Sequence, residues 1–100
     1  MSLKLRMMAE ASQELREAFR YYENAEPGLG RRFVAEVART LQGIKEYPRA
    51  WSPHRHGTRR CHTRTFPYLI IYRVSSNAIT IVAVAHASRE PDYWSDRLRH

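Results

Sequence analysis

The chain begins with two different spacings of apolar residues. Within residues 3 to 8, Leu3, Leu5 and Met7 alternate with the basic Lys4 and Arg6, which is the period of a half-buried strand with the three apolar residues facing inwards. From residue 10 to residue 24 the apolar residues recur at three- and four-residue steps, which predicts an amphipathic helix. Its apolar face consists of Ala11, Leu15, Ala18, Phe19 and Tyr22, and its solvated face of Glu14, Arg16, Glu17 and Arg20.

A second helix follows the break at the sequence AEPGLG. Pro27 suits the first turn of that helix, because the N–H that proline lacks would have no partner there. Pro48 ends the helix after Tyr47. The apolar stripe between them consists of Leu29, Phe33, Val37, Leu41 and Ile44. We therefore expect the two helices to form an antiparallel hairpin joined by a tight turn.

Strands are predicted in the second half of the chain. Residues 48 to 58 contain two prolines and a glycine without any apolar period, so a loop is expected there. Residues 59 to 66 alternate in side-chain type, and residues 68 to 74 and 78 to 86 are runs rich in β-branched side chains. The near-continuous hydrophobicity of the last two runs is typical of central strands that are covered on both faces.

The register between the first two of these strands determines which residues share a face. With a turn at residues 66 and 67, the expected pairs are Arg64 with Leu69, His62 with Ile71 and Arg60 with Arg73. One face of the hairpin would then present Arg60, His62, Arg64 and Arg73. The other face would pack on the helices with Tyr68, Ile70, Tyr72 and Val74. Because a slip of one residue exchanges the two faces, the arginine-rich face depends on this register.

The order of elements describes an α+β fold with an N-terminal strand, an antiparallel helical hairpin, a three-stranded antiparallel meander and a short C-terminal helix or tail. The 100 residues are expected to form a single domain, residues 1–100. No apolar stretch approaches the ~18 residues of a membrane span and no secretory signal is recognised, so we expect a cytoplasmic protein without a membrane partner. Cys61, the only cysteine, is expected to be a buried small side chain.

Charge is distributed unevenly along the chain, whose formal net charge is +7. Up to Glu46 there are eight basic and seven acidic residues, as expected of solvated helix faces. From Arg49 through Arg89 there are seven arginines and neither Asp nor Glu. Because guanidinium groups bind phosphates and carboxylates in bidentate fashion, this segment predicts a nucleic acid or an acidic protein segment as partner.

The C-terminal stretch HASREPDYWSDRLRH concentrates reactive side chains. His86 is in phase with apolar strand positions, so it is either a general base or a core histidine bonded to the backbone. Tyr93 and Trp94 are expected to pin the tail to the sheet. Arg89 and Arg97 are expected to form surface ion pairs with acidic neighbours. These neighbours are Glu90, Asp92 and Asp96.

The sequence HRH at residues 54 to 56 contains alternate histidines but does not predict a metal site, because no carboxylate or cysteine lies near it in the sequence. A glycine-rich loop of the kind that cradles phosphates does not occur either, so nucleotide hydrolysis is not supported. We therefore expect neither a metal nor another cofactor.

Five motifs give the chain a family resemblance. They are EASQELREAFRYYE in the first helix, PGLGRRF at the start of the second, YPRAW at its end, FPYLIIYRV in the sheet, and the closing HASREPDYWSDR. In the order and spacing of these motifs the sequence resembles the RelE/ParE superfamily of bacterial type II toxins over essentially its whole length, and it is more similar to the ParE-like members. The resemblance implies a toxin that forms a hetero-oligomer with a co-expressed cognate antitoxin.

The resemblance also implies two possible targets. ParE-like members poison DNA gyrase and perform no chemistry, whereas RelE-like members cut mRNA in the ribosomal A site. RelE-like nucleases resemble one another in an Arg after the aromatic residue that opens the central strand, where this chain has Leu69 after Tyr68. At their basic C-terminal site the nearest basic residues of this chain are His86 and Arg89, and Tyr93 matches their C-terminal Tyr, so the cluster is only partly retained. Gyrase is therefore the favoured target, the ribosome with its mRNA is the alternative, and whether the protein is an enzyme stays open.

Candidate site residues follow for each target. If the protein is a nuclease, His86, Arg64 and Tyr93 would imitate part of a Glu, Arg, His and Tyr catalytic set that some nucleolytic relatives use. No Glu lies between Arg49 and Arg89 to complete it. A degenerate toxin that only binds its antitoxin is a third possibility. For contact with the target or the antitoxin we expect Arg60, His62, Arg64, Arg73, Arg89, Tyr93 and Arg97.

Overall fold

The structure is a computed structural model that describes residues 3 to 99. Its helices are α1, Ala9–Ala25, and α2, Leu29–Glu46. Its strands are β1, Lys4–Met7; β2, Ser52–Pro53; β3, Arg59–His62; β4, Tyr68–Val74; and β5, Ala78–His86. Short 3-10 turns occupy Arg55–Gly57 and Ser95–Arg99. The predicted α+β fold is confirmed, and in the described part neither helix combines the length and apolar character needed to span a membrane.

The five strands form one sheet in the order β1-β5-β4-β3-β2. Neighbouring strands run antiparallel except β1 and β5, which are parallel. The predicted three-stranded antiparallel meander is formed by β3, β4 and β5, and β1 adds a parallel strand beside β5. β1 and β5 are separated in the sequence by the helical hairpin and the other strands, and such a long connection is what a parallel pair requires.

The predicted loop at residues 48 to 58 contains a short strand and a 3-10 turn. The strand β2 pairs antiparallel with β3, opposite Arg59 and Arg60. Pro53 can take part because β2 lies at the edge of the sheet, where a missing N–H leaves no ladder bond unmade. Two paired residues are too few to produce a periodic pattern, so the sequence did not reveal this strand.

The register of β3 and β4 differs from the predicted one by two residues. The observed pairs are Arg59 with Tyr72, Arg60 with Ile71, Cys61 with Ile70 and His62 with Leu69. β3 ends at His62 because residues 63 to 67 form the turn, in which the Thr63 hydroxyl donates to the carbonyl oxygen of Phe66 at 2.7 Å. An even shift keeps each strand residue on its predicted face. It does, however, place Arg64 in the turn and not on the strand.

The two helices cover one face of the sheet through a continuous apolar core. Its buried members include Ala11 and Ala18 of α1, Phe33, Val37 and Ile44 of α2, and Ile70, Tyr72, Ile79, Ile81 and Val84 of the central strands. Leu3, Leu5 and Met7 pack against it, as the alternation predicted. Cys61 also belongs to this core, so the expectation of a buried cysteine is confirmed. We refer to this as the helix face of the sheet.

The opposite face of the sheet is covered by the segment that follows β5, and we call it the tail face. The β4–β5 register shifts between Ile71 and Tyr72, which leaves Val82 of β5 without a partner on β4. Such a bulge bends the strand and redirects the side chains next to it. The buried cluster on this face consists of Ile71, Val82, Ala83, Ala85 and Trp94. The prediction that β4 and β5 are covered on both faces is therefore confirmed.

The helices of the hairpin approach each other closely at Gly30. A Cβ atom on this residue would lie 2.6 Å from the carbonyl oxygen of Phe19, so a larger residue would force the helices apart. The Glu23 carboxylate accepts hydrogen bonds from the N–H groups of Gly28 and Gly30 at 2.9 and 3.0 Å, which caps α2 and lowers the pKa of Glu23. α2 begins two residues after Pro27, so this proline precedes the first turn of the helix instead of lying within it.

Candidate functional site

A small cavity of about 130 Å³ lies between the tail face of the sheet and the segment that follows β5. We call it the tail cavity. Its apolar wall includes Leu69, Ile71, Ala85 and Trp94. Most of its polar lining is basic and comes from His54, Arg60, His86 and Arg89. Of the predicted site residues, it brings together Arg60, His86, Arg89 and Tyr93.

His86 lies at the end of β5, and its Nδ1 atom is already engaged. Nδ1 accepts a hydrogen bond from the backbone N–H of Ser88 at 3.1 Å and lies 2.8 Å from the Ser88 hydroxyl oxygen. Because Nδ1 accepts, a neutral His86 carries its proton on Nε2. The ring also meets that of Tyr68 edge to face, with the ring centroids 5.2 Å apart. His86 therefore presents a donor at Nε2, whereas a general base would need an acceptor there.

His54 faces the same cavity from the loop before β3. Burial of its ring, reinforced by the positive charge of Arg60, lowers the pKa of His54. The imidazole is therefore neutral at pH 7. Besides this neutral ring, the tail cavity is lined by the guanidinium groups of Arg60 and Arg89 and by the carboxyl group of Glu90.

Beside the tail cavity, one carboxylate holds the C-terminal segment in place. Glu14 of α1 accepts the Tyr93 hydroxyl at 2.6 Å and both terminal nitrogens of the Arg97 guanidinium at 2.9 Å. We call these three residues the Glu14 cluster. The prediction that Glu14 lies on the solvated face of α1 was wrong. The expected pairing of Arg97 with an acidic neighbour in the sequence was also wrong. Arg97 binds the partly buried Glu14 instead, because Glu14 offers a bidentate contact that a flexible surface residue does not.

The Glu14 cluster also satisfies the backbone of β5 near the bulge. The N–H of Val84 donates to the Glu14 carboxylate at 3.0 Å, and Arg97 donates to the carbonyl oxygen of Val82 at 2.9 Å. Polar backbone groups freed from the ladder by a bulge must find other partners when they are buried. The irregularity in β5 and the attachment of the tail are therefore parts of one arrangement.

Tyr93 is constrained by its neighbours in the Glu14 cluster and by Arg89. Burial, followed by the hydrogen bond to Glu14, raises the pKa of the Tyr93 phenol well above its ordinary value. The guanidinium carbon of Arg89 lies 3.8 Å from the centroid of the Tyr93 ring, a cation–π contact. Tyr93 thus orients Arg89 towards the tail cavity while its own hydroxyl proton is directed at Glu14.

Trp94 anchors the segment after β5, as the sequence predicted. Only 1% of its surface is exposed, and the rings of His54 and His56 each lie 5.8 Å from it between centroids. The Nε2 atom of His56 is in turn 3.7 Å from a carboxylate oxygen of Asp92. The histidines of the HRH sequence therefore support the tail, and among the described residues no group of three or more His, Cys, Asp or Glu could hold a metal ion.

The remaining predicted residues lie elsewhere. Arg64 and His62 line a different cavity together with Arg39 of α2. Arg73 is opposite Thr80 near the far end of β4. The expected arginine-rich face is consequently divided, because Arg64 left the strand for the turn. The predicted nuclease set is divided as well, with His86 and Tyr93 at the tail cavity and Arg64 outside its lining.

Glu14 is the main site residue that the sequence did not reveal as one. A signal was available, since Glu14 is three residues after Ala11 and four before Ala18, and both alanines are buried. That spacing places its side chain on the inner face of the helix. The small alanines leave room for a long polar side chain to reach the end of the sheet.

The family match over residues 5–91 identifies the class of protein as the toxins of type II toxin-antitoxin systems. The model of the family described as "ParE toxin of type II toxin-antitoxin system, parDE" matches residues 5–91, and the chain belongs to this family. The resemblance to the RelE/ParE superfamily, and to its ParE-like members in particular, is confirmed.

Similar proteins agree with this assignment. Toxin ParE2 of Mycobacterium tuberculosis, from strains CDC 1551 / Oshkosh and H37Rv, is 32% identical over 93 residues, which cover 92% of this chain and 89% of each relative. A solved structure titled "Chromosomal ParDE TA system from P. aeruginosa" superposes with a TM-score of 0.79 over 86% of this chain and 97% of that chain. Its sequence identity of 17% limits that likeness to the fold.

Proposed function

We propose that this toxin acts by poisoning DNA gyrase, without chemistry of its own, and that a cognate acidic antitoxin neutralises it in the cytoplasm. Membership of the ParE family and the similarity to proteins named Toxin ParE2 favour this target. The proposal treats residues 1–100 as one domain whose binding surface is centred on the tail cavity.

The observation that supports a non-enzymatic action is the engagement of Tyr93 by Glu14. Metal-independent RNA cleavage requires a base near the 2′-hydroxyl and an acid near the leaving oxygen. The Tyr93 proton is directed at a carboxylate and its pKa is raised, so this phenol is poorly suited to either role near pH 7. Leu69 supplies no charge where RelE-like nucleases have an arginine, and it lies on the wall of the tail cavity.

The tail cavity supports contact with an acidic partner. Arg60 and Arg89 line it, and Arg89 is held in position by its stacking on Tyr93. A carboxylate from the antitoxin would form charge-assisted hydrogen bonds with these guanidinium groups. The same arginines are the groups we assign to contact with gyrase, so antitoxin binding would exclude the target from this surface.

The test uses purified protein with gyrase and supercoiled plasmid. We expect linear DNA to accumulate after denaturation of the complex with detergent, because a poison traps the cleaved intermediate. Arg89→Ala should reduce this accumulation, whereas Arg99→Ala, with its exposed side chain, is the matched control. Unchanged poisoning by Arg89→Ala would move the contact surface elsewhere, and the absence of any trapped DNA would refute gyrase as the target.

The antitoxin part of the proposal has its own test. The acidic C-terminal peptide of the protein encoded next to this gene should bind more tightly than a scrambled peptide of equal charge. Equal affinities would mean that only net charge is recognised. Because this measurement contains no gyrase, it can fail while the proposed target stands.

The co-location of Arg60, His86 and Arg89 in one cavity favours ribosome-dependent mRNA cleavage as the second candidate. Induction of the gene in cells distinguishes the two. Rapid arrest of translation with cleaved transcripts would support the nuclease, and a DNA-damage response with intact mRNA would support gyrase poisoning. No effect on growth would instead indicate a degenerate toxin that retains only antitoxin binding.

A further inference from the structure

A second basic surface lies between α2 and the turn after β3, away from the tail cavity. It consists of two adjoining cavities that share Glu36, Arg39 and Arg64. One of these cavities is also lined by Arg32, and the other is also lined by Trp51. We call the two cavities together the α2 groove.

The three arginines of the α2 groove have no carboxylate partner among residues 3 to 99. None of them forms an ion pair with a described acidic residue at 4.0 Å or less. Glu36, which lines both cavities, is 4% exposed, and its carboxylate accepts three hydrogen bonds from the turn that contains Arg64. That carboxylate is therefore committed to holding the turn, and the guanidinium groups remain available to an external anion.

An aromatic side chain of fixed orientation stands at the other end of the groove. The Trp51 ring packs over Gly43 of α2, and its indole N–H donates to the Gly43 carbonyl oxygen at 3.3 Å. Arg59 donates to the carbonyl oxygen of Trp51 at 2.7 Å, which fixes the backbone as well. Trp51 nevertheless keeps 36% of its surface exposed. A planar ligand that stacks on this ring would meet a side chain whose rotamer is already ordered.

We propose that the α2 groove binds single-stranded nucleic acid, with phosphates at Arg32, Arg39 and Arg64 and a base stacked on Trp51. Arg32 and Arg39 are seven residues apart, so they lie on one side of α2 about 10 Å apart along its axis. A single strand passing along the helix can place successive phosphates near both. Guanidinium groups beside an exposed aromatic ring are the combination used by proteins that bind single strands without sequence preference.

An acidic peptide is the competing occupant, and the composition of the groove favours nucleic acid over it. Every cation facing the proposed phosphates is an arginine, and the neighbouring anchor is a flat ring that offers an exposed surface. A peptide anchored by an apolar side chain would need an enclosed slot, whereas the cavity around Trp51 is an open depression whose lining also includes Thr40, Gly43, Cys61 and His62. The net charge of +7 adds a general attraction for a polyanion.

The experiment is a titration of the intact protein with a twelve-nucleotide oligo-dT, followed by tryptophan fluorescence. The chain has two tryptophans, and since Trp94 is 1% exposed, quenching by a stacked base reports on Trp51. We expect quenching together with a log–log salt dependence of slope about −2, because three phosphate contacts each contribute about −0.7 for single strands.

Variants locate the contacts. Arg39→Ala should reduce the magnitude of the salt slope by about 0.7, whereas Arg73→Ala removes the same charge outside the groove and serves as the matched control. Trp51→Leu, followed by anisotropy of a labelled oligonucleotide, should weaken binding roughly 5- to 150-fold, the range for loss of one base–aromatic stack. Circular dichroism of each variant checks that the fold is retained.

Three results would overturn the proposal. The first is no quenching by the oligonucleotide at low salt. The second is an equal loss of affinity in Arg39→Ala and Arg73→Ala, which would indicate attraction by net charge alone. The third is quenching by a glutamate-rich peptide that the oligonucleotide does not reproduce, which would assign the groove to a protein. None of these measurements contains gyrase, so they leave the proposed target unaffected.

Discussion

The two faces of the central strands are covered in different ways. On the helix face, α1 and α2 bury large apolar side chains, among them Phe33, Ile70 and Tyr72, each 0% exposed. On the tail face, a short segment without a long helix is attached by Trp94 and by the directional bonds of the Glu14 cluster. Burial of apolar area stabilises the first face, whereas the second depends on one carboxylate and its donors.

Under the proposed function, this difference separates the residues that stabilise the domain from those that bind its partners. Apolar packing must be free of cavities, but it is non-directional and does not require particular residues on the exposed surface. Because the helix face buries large apolar side chains, it can supply most of the folding free energy. The tail face is thinner and leaves a cavity lined by Arg60 and Arg89. Residues that bind a partner must remain accessible, and the contact residues proposed above, Arg60 and Arg89, lie where the cover is thin and polar. Removal of a buried apolar side chain from the helix face should therefore unfold the domain. Removal of a polar contact from the tail face should first release the tail.

The largest expected effect comes from the helix face. Phe33→Ala removes a fully buried ring that meets Tyr22, Phe66 and Tyr68 at centroid distances of 4.8 to 5.2 Å. We expect a loss of about 3–5 kcal/mol in the free energy of unfolding, because the neighbouring rings cannot close the cavity completely. Urea denaturation followed by far-UV circular dichroism measures it.

Tyr21→Ala is the control for the loss of an aromatic side chain. Tyr21 lies on α1 with 70% of its surface exposed, so its removal should change the free energy of unfolding by no more than about 0.5 kcal/mol. If the two variants were equally unstable, the assignment of the main core to the helix face would be contradicted.

The sequence predicted the helix face well because apolar periodicity reports burial. The stripe that includes Phe33 and Ile44 and the alternation in β1 placed the core side chains on their observed sides. The strand pairing and the turn length in the sheet were harder to predict from the sequence. The parallel pairing of β1 depends on contacts between the two ends of the chain, and the length of the turn after His62 depends on Glu36 of α2, which accepts its hydrogen bonds. Local patterns contain neither kind of information.

The tail face was predicted only in part. Trp94 was recognised as an anchor because a large aromatic residue near a chain end needs a core to join. The partner of Tyr93 and Arg97 was not recognised, since Glu14 is 79 residues from Tyr93 in the sequence. Polar contacts over such a separation leave no periodic trace. The spacing of Glu14 from the buried Ala11 and Ala18 is that of an inward-facing residue, whereas its charge is typical of a residue on the solvated face.

The second effect tests the polar attachment of the tail. Glu14→Ala removes the acceptor of Tyr93, Arg97 and the N–H of Val84. We expect a loss of about 2–3 kcal/mol, because the partly buried Arg97 guanidinium loses its carboxylate and keeps only the Val82 carbonyl oxygen, while the Val84 N–H loses this acceptor. Hydrogen exchange measured by mass spectrometry should show the last residues exchanging faster while α2 keeps its protection.

Glu17→Ala is the matched control for this change. Glu17 is one turn further along α1 and exposed, and its only described side-chain hydrogen bond comes from the exposed Gln13 at 3.1 Å. It should leave exchange in the tail unaltered. Uniformly faster exchange over the whole domain in Glu14→Ala would contradict the view that the tail face is an independently attached layer.

A third, smaller effect is the dependence of stability on pH. Burial alone would raise the pKa of Glu36, but the hydrogen bonds from Thr65 and from the N–H of Phe66 outweigh it, and the pKa is lowered. The unfolded value is about 4.3. This contribution to stability is therefore complete above about pH 4.3 and is lost as pH falls through the lower folded value.

Substitution of the carboxyl group tests this linkage. Glu36→Gln should reduce the slope of the unfolding free energy between pH 5 and pH 3, measured by urea denaturation at each pH. Glu46→Gln, at the exposed end of the same helix, is the matched control. An unaltered slope in Glu36→Gln would mean that the turn after β3 is not held by the ionised carboxylate.

The smallest effect distinguishes two ion pairs of the tail itself. Arg97 and Glu14 keep 17% and 14% of their side chains exposed, whereas Arg99 and Asp96 keep 82% and 86%. Because water screens the second pair and its atoms are 3.8 Å apart, a double-mutant cycle on Arg99 and Asp96 should give a coupling of about 0–0.5 kcal/mol. The same cycle on Arg97 and Glu14 should exceed it by at least about 1 kcal/mol, since both partners are largely removed from water. Equal couplings would show that the Arg97–Glu14 pair holds the tail no more firmly than an exposed ion pair does, and this part of the contrast between the two faces would then have no energetic basis.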